Sequence, residues 1–352
     1  MKILLLNWRD LKHPSSGGAE VWAHRIAEGL QAFGHEVTFF AAHVDGAPND
    51  EMVNGVRIIR RGSRLGVYRE ARKFYKGAPD YFDVILEEIN TRPFFSYSWG
   101  KTPVVHMIHQ VAKDVWKYEA PFPISFVGRY FFEPRWLKRL VGQHVMTLSP
   151  SSADSLVEYG INDAIVVLPG SDDSAVVMGE KSKSSSIVFL GRLVASKRPD
   201  HVIEAFRIVK KQVPDAELWM LGSGPMKKKL LRDLPEGADL FGHVSYEERQ
   251  RRLSSAHVLV ATTVREGWGL NVSEASAVGT PTIGYDSPGL RDSIPMSGGQ
   301  VVPVSSEKLG EALIEFFQQK TSLVPRIATQ SWEQVCRQIE SELLTATKAA
   351  QL

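Results

Sequence analysis

The sequence predicts an α/β protein of two domains, each built on a doubly wound parallel sheet. Short apolar runs alternate with segments of helical spacing over most of the 352 residues. A stretch rich in glycine, serine and charged residues at 169–186 interrupts this alternation before it restarts. A chain of this length also exceeds one ordinary domain. We therefore expect a first domain over 1–168, a linker over 169–186 and a second domain over 187–330.

The first domain shows strand and helix patterns in regular order. A helix is expected over 19–33, because Val21, Ile26, Leu30 and Phe33 follow a helical spacing and Gly34 ends the pattern. Strands are expected at the short apolar runs 3–6, 36–41, 56–59, 84–86, 104–108 and 145–148.

The second domain repeats the alternation. Pro199 begins a helical pattern over 199–211. Strands are expected at 187–190, 217–221, 240–242, 257–264 and 282–285. A last helix over 331–352 is expected to pack back on the first domain. Because doubly wound sheets bind ligands at the carboxyl ends of their strands, we expect the two domains to face a common cleft.

Composition excludes several classes of protein. The hydrophobic fraction is 43% and the charged fraction 23%, as in ordinary globular chains, and a net charge of +2 predicts no nucleic-acid partner. Cys336 is the single cysteine, which excludes an internal disulfide and favours a reducing cytoplasm. We expect neither a membrane span, which needs ~18 apolar residues, nor a signal peptide.

Glu266 and Glu274 flank a glycine-bearing loop that joins the run 257–264 to a helical pattern. We expect Asn271 to be the N-cap of that helix and Glu274 to complete a capping box. The free N–H groups of such a turn bind anions, while carboxylates accept hydrogen bonds from hydroxyls. The pattern indicates a ligand that combines a diphosphate with hydroxyl-rich rings. The alternative is that Glu274 only caps the helix, that Glu266 is only an acidic loop residue, and that neither binds a ligand.

Arg192 and Lys197 follow the first strand of the second domain. At the carboxyl end of that strand they can stabilise the charge of a diphosphate leaving group, Arg as a fork and Lys as a point charge. The alternative is a solvated basic loop. Both cations precede Glu266 and Glu274 within one predicted sheet, which favours the binding interpretation.

His109 ends the run 104–108 on the same face as Met107. There it can accept a hydrogen bond from a sugar hydroxyl or act as a base, and it can equally be a satisfied polar residue. Gly17 and Gly18 precede the first helix, so backbone N–H groups there can approach a ligand closely. The sequence contains no dinucleotide-binding or P-loop fingerprint and no cluster with metal-ligand spacing.

Aromatic and basic residues are concentrated in 113–140. Such a segment can lie on an anionic membrane surface, which would place the protein at the inner face of a membrane in the cytoplasm. A core helix with a solvated basic edge is the alternative.

Together these residues resemble the retaining glycosyltransferases of family GT4, which have the GT-B fold. The resemblance spans nearly the whole chain and depends on the order and spacing of its marks. The marks are Asn7, Gly17-Gly18-Ala19-Glu20, His109, Gly191-Arg192, Lys197, Gly222-Ser223-Gly224-Pro225, Phe241-Gly242 and Glu266-x7-Glu274. The chain departs from the family where Pro169-Gly170-Ser171 replaces an Asn-Gly pair, and where Trp268 replaces the commoner phenylalanine.

The resemblance implies transfer of a hexose from a nucleoside-diphosphate sugar to a saccharide or lipid-linked acceptor, with the anomeric configuration retained and no metal or other cofactor. It implies that Arg192 and Lys197 hold the diphosphate, that Glu274 binds the ribose, and that Glu266 and His109 contact the donor sugar. Further donor contacts are expected at Gly18, Gly222, His243, Val244, Gly267, Trp268, Gly269, Leu270 and Asn271, and acceptor contacts at Arg9 and Asn90.

Two alternatives keep the fold and change the activity. One is a nucleotide-sugar epimerase or a phosphorolytic enzyme, and the other is a non-catalytic nucleotide-sugar-binding protein. Release of nucleoside diphosphate that depends on an acceptor distinguishes transfer from both. The sequence leaves the donor base and the oligomeric state open.

Overall fold

The structure, a computed structural model, describes residues 1–172, 178–327 and 330–350. It divides into two compact units. Unit 1 comprises Met1–Val111, Tyr130–Gly170 and Gln330–Leu352, and unit 2 comprises Ala112–Arg129 and Ser171–Thr329. The segment 112–129 groups with unit 2, although the sequence analysis includes it in the first domain. We keep the predicted linker, 169–186, as a proposal; its residues 173–177 lie outside the described part of the chain.

Strands and helices alternate along most of the described chain. The strands are β1 (Lys2–Leu6), β2 (Glu36–Ala41), β3 (Asp50–Val53), β4 (Val56–Arg60), β5 (Val84–Ile89), β6 (Val104–Ile108), β7 (His144–Thr147), β8 (Ile165–Val166), β9 (Ser186–Leu190), β10 (Glu217–Leu221), β11 (Ala238–Gly242), β12 (Val258–Ala261), β13 (Thr282–Tyr285) and β14 (Gln300–Val302). The α-helices are α1 (Gly18–Ala32), α2 (Val67–Lys76), α3 (Trp116–Glu119), α4 (Ile124–Val127), α5 (Glu133–Lys138), α6 (Pro150–Val157), α7 (Pro199–Lys210), α8 (Lys227–Arg232), α9 (Tyr246–Ser255), α10 (Leu270–Ala277), α11 (Leu290–Met296), α12 (Ser306–Phe317) and α13 (Trp332–Ala349).

The sheet of unit 1 has eight strands within the described residues, in the order β3-β4-β2-β1-β5-β6-β7-β8. Its strands are parallel except where β3 pairs antiparallel with β4. Residues Ile3 to Leu6 of β1 are fully buried, as expected for a parallel strand covered on both faces. The chain leads from β1 to β2 on one side and from β5 to β6 on the other. The topological switch point therefore lies between β1 and β5.

Helix α13 packs against α1 in unit 1. Gly29 makes the close approach possible, since a Cβ at this position would lie 2.2 Å from Cys336 Sγ. His35 Nε2 lies 2.7 Å from Glu340 Oε1, and His144 Nε2 lies 2.9 Å from Glu342 Oε2. The last described helix is therefore part of the unit that begins the chain.

The sheet of unit 2 has six parallel strands among the described residues, in the order β11-β10-β9-β12-β13-β14. Its core joins the apolar faces of α7 and α12 to one face of the sheet, with Phe189, Phe206 and Leu313 buried in it. The order of strands reverses between β9 and β12. Loops that follow these two strands therefore meet at the switch point.

Several strand limits differ from the sequence prediction. The strand predicted at 84–86 extends to Ile89 and includes Glu87 and Glu88, while the one predicted over 257–264 shortens to β12. Strands β3, β8 and β14 were not predicted, because they are two to four residues long and none of them is a continuous buried apolar run.

Short helices follow one another between Lys113 and Lys138, with a π-helical segment at Gly128–Phe132 between α4 and α5. Several apolar side chains here are exposed, and Phe122 has 81% of its surface accessible. None of the described helices has both the length and the hydropathy that crossing a membrane requires.

Candidate active site

The predicted cation Lys197 and the predicted acid Glu266 lie side by side in unit 2. Lys197 ends the turn that follows β9, Glu266 lies in the loop that follows β12, and Lys197 Nζ donates a hydrogen bond to the Glu266 carboxylate. Backbone and hydroxyl contacts connect the two loops: Val264 N donates to Ser196 O at 2.8 Å, and Thr262 Oγ1 donates to Lys197 O at 2.7 Å. The sheet therefore brings these two predicted residues together at its switch point.

Lys197 and Glu266 line a small pocket with Thr262, Thr263 and Asn271. Both charged side chains are partly exposed, Lys197 at 26% and Glu266 at 20%, so a ligand can reach them. The Lys197 ammonium has three N–H donors, so it can also donate to an anion that enters the pocket.

Arg192 has a different neighbour. Its guanidinium Nη2 lies 3.9 Å from Glu119 Oε1, and the same carboxylate oxygen accepts a 2.7 Å hydrogen bond from Ser196 Oγ. Glu119 ends α3, in the segment 112–129 that belongs to unit 2. Glu119 was not predicted as a site residue, since it is 77 positions away from Ser196 and belongs to no motif.

Glu274 lies in the second turn of α10, where Arg249 of α9 approaches it to 3.6 Å. Burial raises the pKa of the Glu274 carboxyl, and the Arg249 guanidinium opposes this rise. The predicted capping box is wrong. Gly269 is the N-cap with a φ of +96°, and Asn271 lies inside the helix with its Nδ2 donating to Leu190 O at 3.1 Å. The helix begins earlier because the glycine adopts a left-handed conformation.

The other predicted donor residues occupy the surrounding loops. Trp268 is fully buried and its Nε1 donates to Ser273 Oγ at 2.8 Å, so it supports the loop. Gly267 and Leu270 are half-buried. After β11, His243 is exposed and Val244 is half-buried beside a core cluster.

Gly222 holds two loops close together. Its φ is +149°, and a Cβ at this position would lie 1.9 Å from Gly191 O. Gly224 repeats the arrangement, with a φ of +159° and Leu193 O at 2.5 Å from such a Cβ. The glycines therefore allow the segment that carries Arg192 to lie against the loop after β10.

Unit 1 places its predicted residues at the carboxyl ends of neighbouring strands. Arg9 Nε donates to Glu20 Oε1 at 3.0 Å, and Glu20 Oε2 accepts from Gly17 N at 2.6 Å, so this carboxylate occupies the start of α1 next to Gly18. Asn90 Nδ2 donates to Asn7 Oδ1 at 3.0 Å.

His109 follows β6 and is buried. Its Nε2 is hydrogen-bonded to Glu88 Oε2, and its ring meets Trp22 edge-on at 5.4 Å between centroids. Glu88 was not predicted as a site residue, because it belongs to no motif and follows the apolar run predicted as a strand over 84–86. The position of Glu88 could have indicated a role, because it lies two residues before Asn90 and near the carboxyl end of the central strand β5.

No group of three or more His, Cys, Asp or Glu side chains in 1–172, 178–327 and 330–350 is arranged to hold a metal ion.

Family models match both parts of the chain. The model described as Glycosyltransferase Family 4 matches residues 16–173, and the one described as Glycosyl transferases group 1 matches residues 170–330. Together they span residues 16–330, which include all the site residues named above except Asn7 and Arg9.

Individual relatives share shorter segments. A GDP-mannose-dependent monoacylated alpha-(1-6)-phosphatidylinositol monomannoside mannosyltransferase from Corynebacterium glutamicum is 33% identical over 135 residues, 35% of each chain. A D-inositol 3-phosphate glycosyltransferase from Paenarthrobacter aurescens is 30% identical over 226 residues, 56% of this chain and 53% of the relative. The chain thus spans between a third and about half the length of these relatives.

The fold matches that of solved glycosyltransferases. Sucrose-phosphate synthase from Thermosynechococcus elongatus superposes with a TM-score of 0.75 at 19% identity, covering 99% of both chains. This likeness confirms the GT-B fold predicted from the sequence. With both family models matched in order along one chain, the protein belongs to the group 1 glycosyltransferases of the family 4 type.

Proposed function

We propose that the protein transfers a hexose from a nucleoside-diphosphate sugar to a saccharide or lipid-linked acceptor, with retention of the anomeric configuration. The pairing of Lys197 with Glu266 at the switch point of unit 2 carries the proposal. A diphosphate can take over the ammonium, and the released carboxylate can accept a hydrogen bond from the donor sugar. The names of the relatives support a nucleotide-sugar donor, since one of them is described as GDP-mannose-dependent.

Arg192 and Lys197 stabilise the charge that develops on the leaving diphosphate, which is a main source of rate enhancement in such transfers. Glu274 accepts hydrogen bonds from the ribose, and the backbone from Gly267 to Asn271 holds the sugar. Two cations supply the charge that a metal would otherwise bring, so we propose transfer without a metal. The leaving diphosphate assists deprotonation of the acceptor on the same face of the sugar, which requires positioning more than a covalent intermediate.

The test starts with the protein and a panel of UDP, GDP and ADP sugars in a thermal-shift assay. The sugar that stabilises the protein most is then incubated with saccharide acceptors, and release of nucleoside diphosphate is measured with and without EDTA. We expect release that depends on the acceptor, survives EDTA and is lost in Glu266→Ala. NMR of the product gives the anomeric configuration.

Other outcomes contradict the proposal. Conversion of the donor sugar without an acceptor would indicate an epimerase, and donor binding without any turnover would indicate a binding protein. A trapped glycosyl adduct on a side chain would exclude the same-face path, and an inverted product would exclude retention.

We also propose that the segment 113–140 contacts an anionic membrane surface in the cytoplasm. Phe122 and Ile124 expose most of their apolar surface, and basic side chains such as Lys117 accompany them. The double variant Phe122→Ser/Ile124→Ser should lose co-sedimentation with anionic vesicles, while Leu65→Ser, which removes an equally exposed side chain elsewhere, should not. Equal binding of both variants would contradict the membrane proposal.

A further inference from the structure

Two consecutive glutamates of β5 lie in opposite environments. Glu87 is fully satisfied: its carboxylate accepts from Phe94 N at 2.6 Å, Phe95 N at 3.2 Å and Ser96 N at 2.9 Å, and from the Ser96 hydroxyl. These contacts fix the loop after β5, so Glu87 is a structural carboxylate.

Glu88 points to the other face of the sheet and is 1% exposed. Its Oε2 is hydrogen-bonded to His109 Nε2, and its buried Oε1 has no hydrogen-bond partner in the described structure. Burial raises the pKa of Glu88, and His109 opposes this rise. A buried carboxyl oxygen without a partner is destabilising, and native proteins keep few of them. Its presence here indicates a role other than stability.

Two more buried polar atoms near Glu88 lack partners among the described residues. They are His109 Nδ1 and Asn7 Nδ2. Asn7 follows β1 and His109 follows β6, on either side of β5. One acceptor oxygen, one ring nitrogen and one amide donor thus collect at the switch point of unit 1, where doubly wound sheets bind ligands.

We propose that Glu88 is the positioning residue of His109, and that Glu88, His109 and Asn7 together bind hydroxyl groups of a sugar. The carboxylate accepts the Nε2 proton of His109, which fixes the tautomer and leaves Nδ1 as an acceptor for a sugar hydroxyl. Glu88 Oε1 accepts a second hydroxyl and Asn7 Nδ2 donates to one. The role of these three residues in sugar transfer rests on the proposed function. The tautomer of the His109 ring does not.

The kinetic test compares Glu88→Gln with Glu87→Gln, two matched substitutions one residue apart. We expect Glu88→Gln to keep or raise the melting temperature, because it replaces a buried carboxylate with a neutral amide, and to lower kcat roughly 10–100-fold, the range of a charge-assisted hydrogen bond. Glu87→Gln should lower the melting temperature, since one carboxylate oxygen becomes an amide NH2 and two of the four donors lose their acceptor, and it should leave kcat within about twofold. Equal kcat in Glu88→Gln and wild type, or a loss fully explained by unfolding, overturns the proposal.

The spectroscopic test needs no activity. In protein with ¹⁵N-labelled histidine, a ring proton bound to a carboxylate gives a slowly exchanging, strongly downfield signal. We expect this signal on Nε2 of His109, assigned by its absence in His109→Asn, and we expect Glu88→Met to abolish it. A proton on Nδ1, or an unchanged signal in Glu88→Met, overturns the proposal. Should wild type show no transfer at all, the proposed function fails and this measurement still decides the role of Glu88.

Discussion

Lys197 donates a hydrogen bond to the Glu266 carboxylate, and the two residues follow neighbouring parallel strands of unit 2. Each charge is therefore neutralised by the other. Because both side chains are partly exposed, the pair adds little to stability and can open readily. Under the proposed function, a diphosphate replaces the Glu266 carboxylate as the partner of the Lys197 ammonium. The pairing thus balances the two charges within the loops that carry them.

Lys197→Ala should weaken binding of UDP or GDP by roughly 10–100-fold, because it removes a charge-assisted hydrogen bond to phosphate. Isothermal titration calorimetry with the nucleoside diphosphate measures the change. Lys211→Ala is the control, since Lys211 is an exposed lysine at the end of α7. Unchanged affinity in Lys197→Ala would refute the placement of the diphosphate.

Glu274→Ala should lower nucleotide affinity through the ribose. The carboxylate faces Arg249 and can accept two hydroxyl protons, so the loss should be roughly tenfold or more. Calorimetry with 2′,3′-dideoxynucleotides is the control, because a ligand without hydroxyls cannot make the contact. A similar loss for both ligands would show that Glu274 acts through the fold and not through the ribose.

Glu119→Gln should raise the affinity for nucleoside diphosphate. The Glu119 carboxylate lies 3.9 Å from Arg192 and accepts from Ser196, so it competes with phosphate for the cation. Both charged partners are substantially exposed, and such pairs are worth about 0–1 kcal/mol, which predicts a gain of up to about fivefold. Glu236→Gln removes the same charge from an exposed loop and should change nothing. Weaker binding in Glu119→Gln would contradict the competition.

Gly222→Ala should destabilise unit 2 more than a glycine substitution that only strains the backbone. Its Cβ would meet Gly191 O at 1.9 Å, whereas Gly34, with a φ of +88°, has open space around such an atom. Gly34→Ala should cost about 1–2 kcal/mol, and Gly222→Ala a further ~1–3 kcal/mol from overpacking. Urea denaturation measures both. An equal loss for the two variants would show that the loop contact is unimportant.

The sequence predicted the buried strands well. The limits of β2, β6, β10 and β13 match the predicted runs, since each run is apolar and bounded by turn residues. The short strands β3, β8 and β14 were missed because partly exposed strands lack this pattern. The strand predicted over 84–86 also ends too early, at the charged pair Glu87-Glu88. Glu87 can lie inside β5 because backbone N–H groups of the following loop donate to its carboxylate, and the sequence does not reveal these contacts.

The site was predicted in part for the same physical reasons. The closeness of Lys197 and Glu266 follows from the rule that loops after neighbouring parallel strands meet. The contacts of Glu119 and Glu88 depend on tertiary packing between distant segments, which no spacing rule encodes. The N-cap was assigned to Asn271 because asparagine favours caps, but Gly269 took that position through its left-handed backbone.

The position of helix α13 at the end of the described chain also affects folding during synthesis. His35, just after α1, and its partner Glu340 are separated by 305 positions, so α1 leaves the ribosome long before the helix that covers it. At roughly 5–20 residues per second, translation leaves the face of α1 that packs against α13 uncovered for about 15–60 s. Unit 1 can complete its core only late in synthesis, whereas unit 2 has all its described helices earlier.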